Sequence, residues 1–156
     1  MTDAFGYLSE EQTDGSAETA GLSSDQLFAL GEEYDYGNNG KPQDSVLAVK
    51  YYRLAADLGH AEAQFALGSC YEYGEGTEEN REQAVNYYRL SANQGYAEAQ
   101  YALGECYEYG EGVEADPSEA LKYYRLAAGQ GHADAQVSLG NCCYNGRGTP
   151  VDYAAA

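Results

Sequence analysis

The residues able to do chemistry in this chain come as copies of one another. Cys70, Cys106 and Cys142 stand 36 residues apart, and His60 and His132 are two such steps apart with Tyr96 between them. Glu72 and Glu75 return as Glu108 and Glu111, beside the glycine pairs Gly74/Gly76 and Gly110/Gly112. Singly, these types suggest a thiol nucleophile, an imidazole base or ligand, a carboxylate pair and a phosphate loop. Their spacing argues otherwise. A general acid, base or nucleophile needs one member in a shielded, perturbed setting, and a role copied along the chain has no privileged member. Gly-Glu-Gly lacks the third glycine and the strand–turn–helix context of a nucleotide loop. No CxxC pair supports zinc. An EF-hand started at Asp35 would place Val46 where a bidentate Glu is required. The sequence therefore predicts no catalytic residue, no cofactor and no metal site.

What positions these residues is a repeat. Ala-Glu-Ala-Gln at Ala61 recurs at Ala97 and returns as Ala-Asp-Ala-Gln at Ala133, again at steps of 36. A fixed period of this length marks a solenoid whose units bury their apolar faces against their neighbours. Within 61–96, Ala63, Leu67 and Tyr71 fall on one stripe of a 3.6-residue helix, with Ala66 and Cys70 beside them. Gly74 and Gly76 end that helix. Ala84, Tyr88 and Ser91/Ala92 form the stripe of a second helix, stopped at Gly95. Small residues, Gly68 among them, are expected to let the paired backbones approach. In the next unit Asp116 before Pro117 reads as a helix cap followed by a first-turn proline. The first copy, through Leu30, Gly31, Tyr34 and Gly37, is one residue longer, and the extra residue is placed in NNGKPQDS. The fourth stops at VDYAAA, where its second helix should be starting.

These marks resemble the Sel-one-like repeat family, a relative of the tetratricopeptide repeat. Its pattern, roughly AxAQxxLGxxYxxGxGV and then AxxWYxxAAxxG, is matched from about Ser24 to the C-terminus. Tyr51, Tyr87 and Tyr123 replace the usual Trp, and Asn38 and Asn39 interrupt the first turn. The resemblance implies an all-α, right-handed α-solenoid of antiparallel helix pairs with about three and a half repeats. The repeats are about 24–60, 61–96, 97–132 and a partial 133–156, within a domain 22–156. It further implies an adaptor in protein complexes and no catalysis. Residues 1–21 are acidic and poor in apolar periodicity, so a disordered, solubilising tail is expected there.

Composition narrows the partners. The formal net charge is −18, from 26 acidic and 8 basic residues. Such a surface repels phosphate backbones, so nucleic acid and anionic membrane faces are excluded as partners and a basic protein segment is the electrostatic complement. No run is long enough to span a membrane, and the N-terminus lacks the features of a secretory leader. A cytoplasmic protein is expected, with four reduced thiols. An exported protein without a recognisable signal is the weaker alternative.

Stepping 100° per residue around the first helix of each unit puts Glu62, Phe65, Ser69 and Glu72 opposite Leu67. The corresponding sets are Asp25, Phe28, Glu32 and Asp35; Glu98, Tyr101, Glu105 and Glu108; and Asp134, Val137, Asn141 and Tyr144. By resemblance to tetratricopeptide solenoids, first helices line the concave side. Phe28, Phe65, Tyr101 and Val137 would then form a ladder flanked by acids, suited to a Lys- or Arg-rich segment. The alternative is that each aromatic packs on the adjacent repeat and anchors nothing. Arg53, Arg89 and Arg125 are expected to pair with nearby carboxylates. A second function remains open beside the non-catalytic scaffold: self-association through an uncapped C-terminal end near Leu139.

Overall fold

The computed structural model describes residues 16–146. After a single helical turn, Ser16–Thr19, come seven helices of 13 residues each. They are α1 (Ser24–Tyr36), α2 (Ser45–Asp57), α3 (Ala61–Tyr73), α4 (Arg81–Asn93), α5 (Ala97–Tyr109), α6 (Pro117–Gly129) and α7 (Ala133–Asn145). Among the described residues there is no strand. Each helix packs on its sequence neighbours, α1 on α2, α2 on α3 and so on to α7, so the molecule is an all-α solenoid. Of the tail 1–21, residues 1–15 lie outside the described residues, and so does VDYAAA.

Most helix boundaries have a chemical cause. Gly37, Gly74, Gly110 and Gly146 end the first helices in the left-handed conformation, which glycine adopts without a Cβ clash. Asp44, Asn80 and Asp116 cap the second helices through their side-chain oxygens, and Pro117 follows at the first helical position. The turn of the first repeat, 37–44, is one residue longer than 74–80 and 110–116, as the spacing predicted. In it Asn39 takes the left-handed conformation at φ 52° and its amide donates to Glu33 at 2.9 Å. Gly76 and Gly112 answer a tighter demand. A Cβ on either would fall on the main-chain carbonyl of Ser45 or Arg81, in the second helix of the preceding repeat.

Three small cores follow one another along the chain instead of one central core. In each, a tyrosine of the second helix (Tyr52, Tyr88 or Tyr124) lies against a glycine of the first (Gly31, Gly68 or Gly104). A Cβ at any of these glycines would sit 2.5–2.7 Å from the ring. The glycine thus admits an aromatic ring more than it draws two backbones together, which refines the expectation for Gly68. The tyrosines in the Trp positions stack face to face on the first helix, Tyr51 on Tyr34, Tyr87 on Tyr71 and Tyr123 on Tyr107, at 5.5–5.8 Å between centroids.

Neighbouring repeats are joined by amides and hydroxyls. Gln94 donates at 2.8 Å to both the Gly59 carbonyl and the buried Gln64, and Gln130 does the same to Gly95 and Gln100. The recurring arginines differ from expectation. Arg53 donates to the Tyr71 hydroxyl at 2.6 Å and Arg89 to Tyr107 at 3.0 Å, each one repeat ahead. They bridge to tyrosine hydroxyls where carboxylate partners were expected.

Candidate functional site

The first helices carry the candidate residues, and the structure separates those tied into the fold from those facing outward. Glu72 accepts from the hydroxyl of Tyr88, and Glu108 accepts from Tyr124 at 2.5 Å. Both carboxylates are half-buried, so they are structural acceptors, where the sequence suggested solvated turn residues. Burial foremost, and then the adjoining carboxylate, drives both tyrosine pKa values far up, which keeps the phenols protonated as donors. Glu105 accepts from Tyr101 at 2.8 Å. Its own pKa is raised, chiefly by burial and further by Glu72, Glu108 and Glu111, against the lowering effect of Tyr101.

The aromatic ladder is half-buried and packed. Phe28 stacks on His60 with centroids 4.7 Å apart and tilts against Tyr52, while Tyr101 stacks on His132 at 4.7 Å and tilts against Tyr124. Phe65 meets Tyr88 and Tyr96 at 5.6 and 5.5 Å. Val137 is 64% exposed. Phe28, Phe65 and Tyr101 therefore each pack between the second-helix tyrosine of their own repeat and the ring that precedes the next first helix, and each keeps an accessible edge.

The histidines do something periodicity did not reveal. His60 Nδ1 accepts from the Ala63 N–H and His132 Nδ1 from the Ala135 N–H, both at 3.1 Å, so each ring caps its helix. The neutral ring then carries its proton on Nε2, directed at Asp25 of α1 (3.0 Å) and Glu98 of α5 (2.9 Å). Histidine is not among the usual capping residues, so only its place immediately before the Ala-x-Ala-Gln helix could have signalled the role. At the same place Tyr96 makes no side-chain cap.

Phe28 and Phe65 are brought together. A cavity of about 270 Å³ opens between α1 and α3, with Phe28, Tyr52, Phe65 and Tyr96 in its walls and Glu32, Asp35, Glu62 and Glu75 around it. Asp35 accepts from the Tyr52 hydroxyl at 3.1 Å. Burial foremost, and then the charges of Glu62, Glu98 and Glu32, raise the Tyr96 pKa. Cys70 also lines the cavity, but burial foremost, with help from Asp35 and Glu75, pushes its thiol up to about 12. Cys106 is likewise pushed up to about 12 by burial and then by Glu72, Glu111 and Glu105. Thiols so protonated are poor nucleophiles. Among the described residues no group of three or more His, Cys, Asp or Glu side chains could hold a metal ion, and no helix is long and apolar enough to cross a membrane.

The family model for the Sel1 repeat matches residues 27–60, 61–96, 97–132 and 133–156. The chain belongs to the Sel1 repeat family. Among solved structures, it resembles a protective antigen of uropathogenic Escherichia coli strains displaying an SLR fold. That likeness has TM-score 0.82 and 36% identity, over 92% of this chain and 30% of the antigen. A Sel1 repeat protein from Oxalobacter formigenes is similar at TM-score 0.76 and 36% identity, over 83% of this chain and 51% of that one. Helicobacter pylori cysteine rich protein B, at 20% identity and TM-score 0.62, shares the fold over 76% of this chain and 98% of its own. A curated relative, the chitin synthase regulator SKT5 of Malassezia restricta, is 49% identical over 47 residues, 30% of this chain and 3% of the regulator. The chain thus spans a small part of that regulator and about a third to a half of the first two structures. Sel1 repeat proteins generally mediate protein–protein interactions and are typically non-catalytic.

Proposed function

We propose that this Sel1 repeat array is a non-catalytic scaffold that holds a basic segment of a partner protein on its first-helix face, the concave one by family resemblance. One observation carries the reading, and it is the division of charge between the two helix layers. α1 bears Asp25, Glu32, Glu33 and Asp35, and α3 bears Glu62 and Glu72. α5 adds Glu98, Glu105 and Glu108, and α7 adds Asp134. Not one lysine or arginine lies on these four helices. The second helices carry Lys50, Arg53, Arg81, Arg89, Lys122 and Arg125. Solubility alone would scatter carboxylates over both layers. A one-sided field steers a cationic partner to one face and speeds its encounter.

The test is fluorescence anisotropy of a labelled Lys/Arg-rich peptide. Neutralising Glu32, Glu62 and Glu98 to Gln should weaken binding and flatten its salt dependence. Neutralising Glu82 and Glu119 on the second helices should do neither, and equal effects from both sets would refute the assignment.

A second reading, self-association through the α7 end, is favoured by Gly140. Its three counterparts each face a tyrosine ring, whereas among the described residues nothing lies within 4 Å of a Cβ placed there. Tyr144 on the same helix is 70% exposed. Sedimentation across a concentration series tests it, and a monomer throughout would end it.

A further inference from the structure

We propose that the cavity between α1 and α3 is a socket for one lysine side chain of the partner, its methylene stem between Phe28 and Phe65 and its ammonium between Glu32 and Glu62. The inference rests on the first-helix face being the docking face, and it assigns one residue type to one place on it.

Three observations select this occupant. The lining of the socket is not repeated one unit on. One repeat on, the places of Phe65 and Ser69 hold Tyr101 and Glu105, larger side chains tied together by a 2.8 Å hydrogen bond. Phe65 has no hydroxyl to make that bond, and Ser69 is too short to reach across. The cavity's size fits as well. At about 270 Å³ it exceeds the ~150 Å³ that accommodates a benzene ring, so an alkylammonium chain enters without displacing a wall. The third observation is the placing of charge. Glu32 comes from α1 and Glu62 from α3, and the charge of each reaches the Tyr96 hydroxyl on the cavity wall. Among the described residues neither is ion-paired to a lysine, arginine or histidine. Carboxylates on two separate helices suit an ammonium, which donates in three directions, better than a planar guanidinium that pairs with one carboxylate as a fork. The aromatic edges add a cation–π contribution.

The probe is a Gly/Ser heptapeptide with one central lysine, added at millimolar concentration to the full chain carrying isotope-labelled aromatic rings. Ring resonances of Phe28 and Phe65 should shift and saturate. The same peptide with N-acetyl-lysine should bind about tenfold more weakly, the factor that ~1.4 kcal/mol represents, and an arginine version should be weaker than lysine. Ser69→Leu fills the cavity without changing charge and should abolish the shifts. Should that variant fail to fold, Glu62→Gln keeps the cavity and should weaken the lysine peptide severalfold. Equal shifts with acetyl-lysine, a stronger response to arginine, or shifts that survive Ser69→Leu would each overturn the socket. Failure of the docking face looks different, because a long basic peptide would then perturb second-helix and first-helix resonances alike. If only the socket is wrong, that long peptide still binds the first helices, and Ser69→Leu leaves it unaffected.

Discussion

Gly104→Ala and Gly140→Ala make the same change at the same place in successive repeats and should move stability in opposite directions. In a bare helix each would gain about 1 kcal/mol, since alanine loses less backbone freedom on folding than glycine. At Gly104 that gain meets an obstacle. The new Cβ would lie 2.6 Å from two carbons of the Tyr124 ring. The ring is fully buried, and its hydroxyl is held by Glu108 at 2.5 Å, so it cannot slide aside without breaking that bond. Overpacking of this kind costs about 1–3 kcal/mol, and a pinned ring puts the cost near the upper end. The net loss at Gly104 is then about 1–2 kcal/mol, while Gly140, with nothing among the described residues within 4 Å, keeps most of the gain.

The assay is urea denaturation followed by far-UV circular dichroism, with amide hydrogen exchange in α7 to locate the second effect. Gly104→Ala should lower the midpoint, and Gly140→Ala should raise protection in α7. Two results would refute the reasoning. A stabilised Gly104→Ala would mean that the ring yields readily. A Gly140→Ala as damaging as Gly104→Ala would mean that a further helix covers α7 in solution.

Other consequences can be measured directly. Gln94→Ala removes donors to Gly59 and to the buried Gln64, and leaving a buried amide oxygen unpaired should cost about 1–3 kcal/mol in the urea transition. Asp116→Ala deletes the oxygen that caps α6 and should cost about 1 kcal/mol, read in the same way. Under native conditions iodoacetamide should label Cys143, the least buried thiol, well before Cys70 and Cys106, with mass spectrometry assigning the sites and urea abolishing the order. Glu105→Gln should stabilise the fold at pH 7, because the pKa of Glu105 is raised and its ionised form is disfavoured in the folded state. Wild-type stability from this group is greatest below the ordinary carboxylate range and falls as pH rises through the raised pKa. The advantage of Glu105→Gln should therefore shrink on acidification and be gone below about pH 4, as urea midpoints across a pH series would show.

Much of the fold could be read from single residues whose effect is local. Gly74 and Gly110 end helices because only their own backbone angles matter, and Asp116–Pro117 starts one because the cap and the proline act within a single turn. The long first turn was a matter of counting. Most of what escaped the sequence depends on a partner on another helix. Stepping around a helix puts Glu72 on the outward stripe but does not say that the Tyr88 hydroxyl reaches it from the next helix. The pairing of Arg53 with Tyr71 was hidden for the same reason, whereas His60 caps its own helix within one turn and escaped because histidine is not a usual capping residue. Net attraction made a carboxylate look like the natural partner of an arginine, while stacking placed a tyrosine hydroxyl closer.

The division between copied and varied positions bears on function. Where the repeats bury their interior, the copies agree: Ala63, Leu67 and Gly68 return as Ala99, Leu103 and Gly104, and then as Ala135, Leu139 and Gly140. Packing demands this, since each unit must offer its neighbours the same shape. On the outward stripe the copies disagree. Phe28 and Phe65 give way to Tyr101 and Val137, and paired with Glu32, Ser69, Glu105 and Asn141 they make four different combinations. Stacking alone sets no requirement for that difference, because the same half-buried side chain would serve at every copy. Four units of one shape thus present four different surfaces in fixed order, about one helix-pair width apart. A partner segment lying along them would meet an open cavity at the first gap and the tied Tyr101–Glu105 pair at the second. Its register would be set by where its lysine enters.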